Sequence, residues 1–281
     1  MVTPSSPDRG RSVALAHVSS HRMTSSISLH TFSAPVQLPI RPTQHVVIQF
    51  PPDLDPIGGA HSLKEDDRRL QFTPCRISVE PMQGTADGAR TTLAFFSRNG
   101  RVTSLIGLPR PQGLGAQLVE VGGGFSEEVL ESPAQTIAVA GGTGISCFLS
   151  LESSNLGEDA ATMRRILAWS IRGEDFPLVE YVLQNGMLDI ELWDVKIFVT
   201  AGEDPGGLVG GKPETVWKDR FNSIKQNFQG VEFACRRMEK SDIFEDSADK
   251  KALVLFCGSK SLQWQIKMWA LGIGTVHVTD R

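Results

Sequence analysis

The sequence predicts a two-domain protein in which an antiparallel β-barrel is followed by a parallel α/β domain. In the first half of the chain, short runs of β-branched residues are separated by breaks rich in Pro, Gly and Asp, as in a barrel or sandwich. In the second half, strand-like and helical segments alternate, which is typical of a parallel sheet with right-handed crossovers. A chain of 281 residues is also long for a single core. We therefore expect a flexible N-terminus over residues 1–10, the barrel over residues 11–132 and the α/β domain over residues 133–281.

Strand and helix signals follow this division. The barrel strands are predicted at Arg11–Val18, Ser25–Ser33, His45–Phe50, Thr91–Ser97 and Gln117–Val121. The parallel strands are predicted at Thr136–Ala140, Ile166–Ser170, Val195–Thr200, Val231–Arg236, Ala252–Phe256 and Thr275–Val278. Helices are predicted at Ile145–Leu151, Asp175–Leu183, Pro213–Phe228 and Ser261–Ala270. The loop Ala201–Lys212 holds five glycines and is expected to be mobile.

Composition and charge argue against several classes of partner and site. A net charge of −4 without a basic stripe disfavours nucleic acid and anionic membranes as partners. The sequence has no run of about 18 apolar residues, the length that a membrane-spanning helix needs. Residues 1–11 lack the apolar stretch of a secretory signal, so we expect a cytoplasmic protein. The four cysteines, Cys75, Cys147, Cys235 and Cys257, form no CxxC pair, which predicts reduced thiols, no metal site and no disulfide framework.

The strongest chemical signal is the glycine-rich turn AGGTGI at residues 140–145, between a predicted strand and a predicted helix. Glycine lets the backbone turn tightly and approach a ligand closely. The amides at a helix N-terminus, together with the helix dipole, favour an anion such as a pyrophosphate. A turn of this kind can also serve only the strand-to-helix connection, and alone it is a weak motif.

Six further segments, in matching order, resemble motifs of the ferredoxin–NADP reductase superfamily. They are PTQHV at 42–46, QFT at 71–73, GRVT at 100–103, GGGF at 122–125, WSIRGED at 169–175 and FCGS at 256–259, and the resemblance spans roughly residues 11–281. It implies an FAD-binding β-barrel followed by a Rossmann-like NAD(P)-binding domain. The implied activity is hydride transfer from NAD(P)H to N5 of FAD. Electrons would then pass to a small-molecule substrate or to a separate electron acceptor.

On the flavin side, the resemblance implies that Phe72 packs beside the isoalloxazine ring. Thr73, as a catalytic residue, would form a hydrogen bond near N5. Gly100, Val102 and Thr103 would form the turn that binds the FAD pyrophosphate. Two of these residues also have ordinary structural interpretations, Phe72 as a core aromatic of the barrel and Thr103 as a hydroxyl that caps a turn.

On the nucleotide side, the resemblance assigns the NAD(P)H phosphates to Gly142, Thr143 and Gly144. Ser170 and Arg172 end the next strand, where a cation favours the 2′-phosphate of NADPH. NADPH is therefore the favoured cofactor, and NADH is the alternative. Arg172 is alternatively a solvated surface charge.

A late strand is predicted to end near the nicotinamide. The resemblance assigns Cys257 and Gly258 to this place, with Cys257 as the second catalytic residue. The alternative is that Cys257 is a small buried apolar residue, which is the commoner role of a free cysteine. Cys147 is interpreted as helix packing, and Asp175 as an N-terminal helix cap.

One departure from the family pattern leaves other functions open. Leu70 stands where the family has an arginine that pairs with the pyrophosphate, and Arg68 and Arg76 are the substitutes that the sequence offers. The first alternative is a ferredoxin-reductase-like fold repurposed for a non-redox cyclisation or isomerisation in the interdomain cleft. The second is a non-catalytic binding protein.

Overall fold

The computed structural model describes residues 12–55, 63–82, 88–130, 135–151, 165–200, 213–244 and 252–279. Within these residues the chain forms an antiparallel sheet followed by a parallel sheet, which confirms the predicted fold class. The predicted N-terminal tail and the glycine-rich loop at 201–212 lie outside the described residues.

Seven strands form the first sheet: β1 Val13–Arg22, β2 Ile27–Ala34, β3 His45–Gln49, β4 Arg69–Phe72, β5 Arg76–Pro81, β6 Ala89–Arg98 and β7 Gly115–Gly122. Their order across the sheet is β4-β3-β7-β1-β2-β6-β5, and every neighbouring pair is antiparallel. Two one-turn helices, α1 Thr103–Ile106 and α2 Glu127–Leu130, follow β6 and β7.

The first sheet curls around an aromatic core. The ring centroids of Phe72 on β4 and Phe95 on β6 are 5.3 Å apart, although these strands are not neighbours in the sheet. Phe32 and Phe50 pack into the same cluster and are fully buried. The edge strands β4 and β5 share no ladder in the described part of the chain. The predicted barrel is therefore an open one.

Six strands form the second sheet: β8 Thr136–Gly141, β9 Arg165–Arg172, β10 Asp194–Thr200, β11 Val231–Ala234, β12 Ala252–Cys257 and β13 Gly274–Val278. Its helices are α3 Ser146–Leu149, α4 Phe176–Gln184, α5 Pro213–Asn227, α6 Lys240–Phe244 and α7 Lys260–Trp269. All neighbouring strands are parallel, in the order β11-β10-β9-β8-β12-β13. Since β7 and β8 belong to different sheets, we propose that the domains divide between them; the predicted boundary at residues 132–133 lies outside the described residues.

The strand order of the second sheet reverses between β8 and β12. The chain moves outward from β8 to β11 and then returns to place β12 on the other side of β8. In open parallel sheets, ligands bind at the carboxyl ends of the strands at such a switch point. Cys257, the last residue of β12, lies opposite Ala140 of β8. The glycine-rich turn and the end of β12 therefore meet at this point.

The helices α1, α2 and α6 and the strand β5 were not predicted, and one predicted helix differs in length. Strand β5 was not predicted, because its apolar alternation is limited to Ile77 and Val79 and none of its six residues is buried. The predicted helix Ile145–Leu151 is shorter than expected: α3 covers Ser146–Leu149 and directly follows a 3-10 turn at Gly142–Ile145. Three glycines within residues 141–144 favour the tight turn that precedes α3.

A buried histidine lies within the first sheet. His30 on β2 is 2% exposed, and its Nδ1 lies 2.6 Å from the Ser20 hydroxyl. The same hydroxyl is 2.7 Å from Nε2 of His17. His30 Nε2 has no hydrogen-bond partner among the described residues. Burial, with a smaller contribution from His17, lowers the pKa of His30 from 6.5 to about 4.

We expect His30 to make the fold sensitive to acid, by about 3 kcal/mol between pH 6.5 and about pH 4. The unfolded chain binds a proton below pH 6.5, whereas the folded protein keeps His30 neutral until about pH 4, so acidification in this window favours unfolding. Urea unfolding at a series of pH values measures the effect, which His30→Asn should reduce. His21→Asn, on an exposed side chain, is the control. An unchanged pH dependence in His30→Asn would contradict the prediction.

Candidate functional site

A cavity of about 330 Å³ lies between the two sheets and is within the range of small-molecule sites. We call it the interdomain cleft. Its walls are formed by Leu70, Gln71, Phe72, Thr73, Phe96, Ser97, Arg98, Thr103, Thr143, Ser146 and Cys257. Five residues predicted to bind cofactors are thus brought together here: Phe72, Thr73, Thr103, Thr143 and Cys257.

The end of β4 carries the predicted flavin contacts to the cleft. Phe72 is 8% exposed, and its ring packs against Phe50 and Phe95, so it is a core aromatic that also forms one wall of the cleft. Thr73 follows directly as β4 ends and is partly buried at the cleft. Its contact with a flavin stays a prediction.

The cation at the cleft is Arg98, not either of the substitutes that the sequence offered. Arg68 donates from Nη1 to the Phe50 carbonyl oxygen at 2.9 Å, and Arg76 borders a different cavity. Arg98 lies at the end of β6 and lines the cleft together with Thr103. Its position directly before the predicted pyrophosphate turn was the available signal in the sequence.

Arg98 joins the two halves of the cleft. Its Nη2 lies 2.9 Å from Oδ2 of Asp175, whose side chain has 0% exposure, whereas the Arg98 side chain is 45% exposed. A Cβ added to Gly142 would be 3.1 Å from the same Nη2. The guanidinium therefore lies against the glycine-rich turn, with exposed surface left for an anion.

Asp175 was predicted to cap the helix that follows it, and this prediction is wrong. Its side chain turns towards the barrel instead. Its carboxylate forms no capping hydrogen bond with the first turn of α4. Oδ1 accepts hydrogen bonds from the hydroxyls of Thr24 and Ser26, in the turn between β1 and β2, and Oδ2 accepts from Arg98. Since a buried carboxylate requires such partners, Asp175 ties the second sheet to the first.

The turn after β6 is held by the Thr103 hydroxyl. This hydroxyl accepts a hydrogen bond from the Gly100 amide at 2.7 Å and donates one to the Arg98 carbonyl oxygen at 2.6 Å. Val102 packs against the core of the barrel. Thr103 thus stabilises the turn, which was its alternative interpretation, and also lines the cleft. Pyrophosphate binding by Gly100, Val102 and Thr103 stays a prediction.

Gly142 and Gly144 are needed in the glycine-rich turn for different reasons, one for its backbone conformation and the other for close packing. Gly142 has φ 56°, in the left-handed region that favours glycine, and its carbonyl oxygen accepts a hydrogen bond from Trp169 Nε1 at 3.0 Å. A Cβ on Gly144 would lie 2.2 Å from the Cys257 carbonyl oxygen. Gly144 is therefore required for the turn to pack on β12, while Thr143 lines the cleft. Phosphate binding by these three residues stays a prediction.

Ser170 and Arg172 lie at the carboxyl end of β9, next to the glycine-rich turn but not among the residues that line the cleft. Ser170 is opposite Gly141 in the β8–β9 ladder. Arg172 Nη1 is 3.3 Å from Glu174 Oε1, and these side chains are 64% and 49% exposed. An exposed ion pair contributes little, so Glu174 competes only weakly with a phosphate for Arg172.

The end of β12 packs tightly on the glycine-rich turn. A Cβ on Gly258 would lie 2.9 Å from the ring of Phe256 and 3.1 Å from backbone atoms of Gly141. Cys257 is 1% exposed, which agrees with its alternative interpretation as a small buried residue. It nevertheless forms part of the cleft wall. The predicted nicotinamide contacts of Cys257 and Gly258 stay predictions.

Two buried hydroxyls at the cleft were missed by the sequence motifs. Ser97 is 5% exposed and Ser146 is 2% exposed, and neither Oγ has a hydrogen-bond partner among the described residues. Leaving a buried hydroxyl without a partner costs free energy, so both are suited to a polar ligand in the cleft. Together with the Arg98 guanidinium, they make a donor set that fits a phosphorylated cofactor. No local pattern marks either serine.

The described residues contain neither a cluster of metal-binding side chains nor a membrane-spanning helix. No three side chains of His, Cys, Asp or Glu in these ranges are grouped as a metal site would require. None of the helices described there has the length and apolar character needed to cross a membrane.

Comparisons with known proteins identify the fold. No protein-family model and no curated protein matches the sequence. The ferredoxin reductase in carbazole 1,9a-dioxygenase matches with a TM-score of 0.57 and 12% identity, over 95% of this chain and 68% of that chain. A ferredoxin NADP+ reductase from Neisseria gonorrhoeae, with bound FAD and NADP, matches with a TM-score of 0.52 and 12% identity, over 96% and 99%. The CS-b5R domains of human Ncb5or, in the NAD+ form, match with a TM-score of 0.52 and 15% identity, over 96% and 70%. This chain therefore has the two-domain fold of the ferredoxin–NADP reductases, the superfamily that its sequence motifs resemble.

Proposed function

We propose that this protein is a flavin-dependent NAD(P)H oxidoreductase, with FAD on the barrel side of the interdomain cleft and NAD(P)H on the α/β side. When bound, the flavin would accept hydride at N5 from the nicotinamide and pass electrons onward. The observation that supports this most is that Thr103 and Thr143, from the two predicted phosphate turns, line the same cleft. Two anion-binding turns that face each other suit two phosphorylated cofactors.

The residues of the cleft suggest a division of roles. Phe72 offers an apolar wall for the isoalloxazine ring, and Thr73 offers a hydroxyl at its edge. Leu70 stands where the family has an arginine, and Arg98 would supply the positive charge in its place and bind the FAD pyrophosphate. Cys257 is the proposed catalytic neighbour of the nicotinamide.

We propose NADPH as the preferred nucleotide, because Arg172 offers a cation at the end of β9. The Neisseria gonorrhoeae reductase, which has bound FAD and NADP, agrees with this choice of cofactors. We propose a separate electron acceptor as the partner, and the similarity to the reductase in carbazole 1,9a-dioxygenase supports this proposal. A small-molecule substrate is the alternative. A cytoplasmic location is also part of the proposal.

An absorbance spectrum of the purified protein, before and after anaerobic NADPH, tests the proposed function. We expect flavin bands in the protein as purified or after FAD is added, and we expect NADPH to bleach them. A protein that neither carries nor binds flavin would refute the proposal. Turnover that continued without NAD(P)H would favour the non-redox alternative instead.

Replacing Arg98 tests whether it supplies the missing charge. We expect Arg98→Gln to weaken FAD binding by roughly tenfold to a hundredfold, because a charge-assisted hydrogen bond contributes about 1.5–3 kcal/mol. Arg90→Gln is the matched control, since Arg90 is exposed near the other end of β6. FAD titration followed by flavin fluorescence measures the affinity, and circular dichroism verifies that each variant is folded. Equal affinities in the two variants would contradict the assignment.

A further inference from the structure

Two buried cysteines lie in contact directly behind the interdomain cleft. The Sγ atoms of Cys147 and Cys257 are 2.9 Å apart, although 110 residues separate them in sequence. Cys147 is 0% exposed and lies in α3, which follows the glycine-rich turn; Cys257 ends β12. Because β12 lies next to β8, the strand order itself brings the two thiols together.

We propose that Cys147 and Cys257 are a reversible dithiol–disulfide pair, and that this pair is a site of oxidation in the wall of the cleft. Their sulfur atoms have to approach only from 2.9 Å to the roughly 2.05 Å of a disulfide bond. The backbone of Cys257 is packed tightly against the turn that leads into α3, since a Cβ on Gly144 would meet the Cys257 carbonyl oxygen at 2.2 Å. The pair is therefore preorganised for bond formation.

Geometry assigns different roles to the two sulfur atoms. Cys257 lines the cleft, so an oxidant that enters the cleft reaches it first. Cys147 does not line the cleft, and its thiol donates a hydrogen bond to Cys257 Sγ. Cys257 is thus the residue attacked by oxidant, and Cys147 is the resolving residue.

Hydrogen peroxide is the oxidant that we name for this step. The Cys257 sulfur attacks one peroxide oxygen, the O–O bond breaks, and the departing hydroxide takes the thiol proton to form water and a sulfenic acid. The Cys147 sulfur then attacks the sulfenic sulfur, the S–O bond breaks, and a second water forms with the proton of Cys147. The two thiols together lose two electrons, and one molecule of hydrogen peroxide gains them and is reduced to two molecules of water.

The other two cysteines serve as internal controls. The Cys75 thiol donates to the Ala94 carbonyl oxygen at 3.2 Å rather than to a second sulfur atom, so we expect Cys75 to stay outside the linked pair. Cys235 is exposed, just beyond β11. Cys235→Ser removes the accessible thiol and leaves the pair intact.

The test uses the full-length protein without added flavin or nucleotide, so its outcome does not depend on the proposed function. The reduced protein is treated with a small excess of hydrogen peroxide, denatured, alkylated and digested. We expect two of its four cysteines to resist alkylation, in one linked peptide pair that contains Cys147 and Cys257. Dithiothreitol should restore all the thiols, and Cys235→Ser should give the same linked pair.

Variants of the resolving cysteine complete the test. In Cys147→Ala, and in the closely isosteric Cys147→Ser in case the alanine variant does not fold, Cys257 should accumulate as a sulfenic acid that dimedone labels. The unmodified protein should show little such label, because Cys147 resolves the sulfenic acid. If the oxidised protein kept all four thiols, or if its disulfide involved Cys75 or Cys235, the proposal would be overturned.

Discussion

Asp175→Ala should lower the free energy of unfolding by about 3 kcal/mol. The substitution leaves Arg98 and the hydroxyls of Thr24 and Ser26 without the carboxylate that accepts their hydrogen bonds. Breaking a buried ion pair costs about 3–5 kcal/mol, and the low end applies because the Arg98 side chain is 45% exposed and can regain water. Urea unfolding with two spectroscopic probes measures the change.

Two control variants distinguish the contribution of the buried Asp175 carboxylate to stability from that of its neighbours. Glu174→Ala removes the exposed neighbouring carboxylate and should change stability by less than about 1 kcal/mol. Asp175→Asn keeps an acceptor of the same shape without the charge, and we expect its stability to lie between those of the wild type and Asp175→Ala. If Asp175→Ala proved as stable as Glu174→Ala, the tie between the two sheets would be energetically unimportant.

Gly144→Ala should destabilise the protein by about 3 kcal/mol and weaken nucleotide binding. The added Cβ would lie 2.2 Å from the carbonyl oxygen and 2.7 Å from the carbonyl carbon of Cys257. Both atoms belong to a central strand of the sheet, so the glycine-rich turn must move instead. Overpacking costs about 1–3 kcal/mol, and a clash with backbone belongs at the upper end.

Gly115→Ala is the control for Gly144→Ala. Gly115 begins β7, and nothing lies within 4 Å of a Cβ at that position. We expect its stability to be unchanged or slightly raised, because alanine restricts the unfolded chain. Thermal unfolding of both variants, with and without NADP+, measures stability and binding together. If Gly144→Ala had the same melting temperature as the wild type, the turn would relax without a loss of stability, which would contradict the prediction.

The parts of the fold that the sequence predicted correctly have local signals. Alternation of strands and helices indicated the parallel sheet, and the AGGTGI turn at 140–145 marked the end of β8. The strand β5 was missed because this exposed edge strand has only two alternating apolar residues, Ile77 and Val79. The helix predicted at Ile145–Leu151 ends two residues earlier, at Leu149, since an apolar run does not reveal where a helix ends.

Most of the proposed flavin contacts could be found from the sequence because each lies in a short motif, such as QFT at 71–73 or GRVT at 100–103. The position of Arg98 in the cleft was not predicted, although Arg98 lies two residues before the GRVT turn. Arg68 and Arg76 are close to Leu70 in sequence, yet β4 and its flanking turns direct them elsewhere. Arg98 reaches the cleft from β6, across the curled sheet.

Residue patterns of short range were therefore enough to predict an antiparallel sheet followed by a parallel sheet, and the glycine-rich turn at the end of β8. Contacts between distant segments needed the folded chain, because they depend on strand order and on how the sheets face each other. Asp175 meets Thr24 across 151 residues, and Cys147 meets Cys257 across 110. No periodicity or spacing encodes such pairs, since each partner is chosen by packing and by the need of buried polar groups for hydrogen bonds.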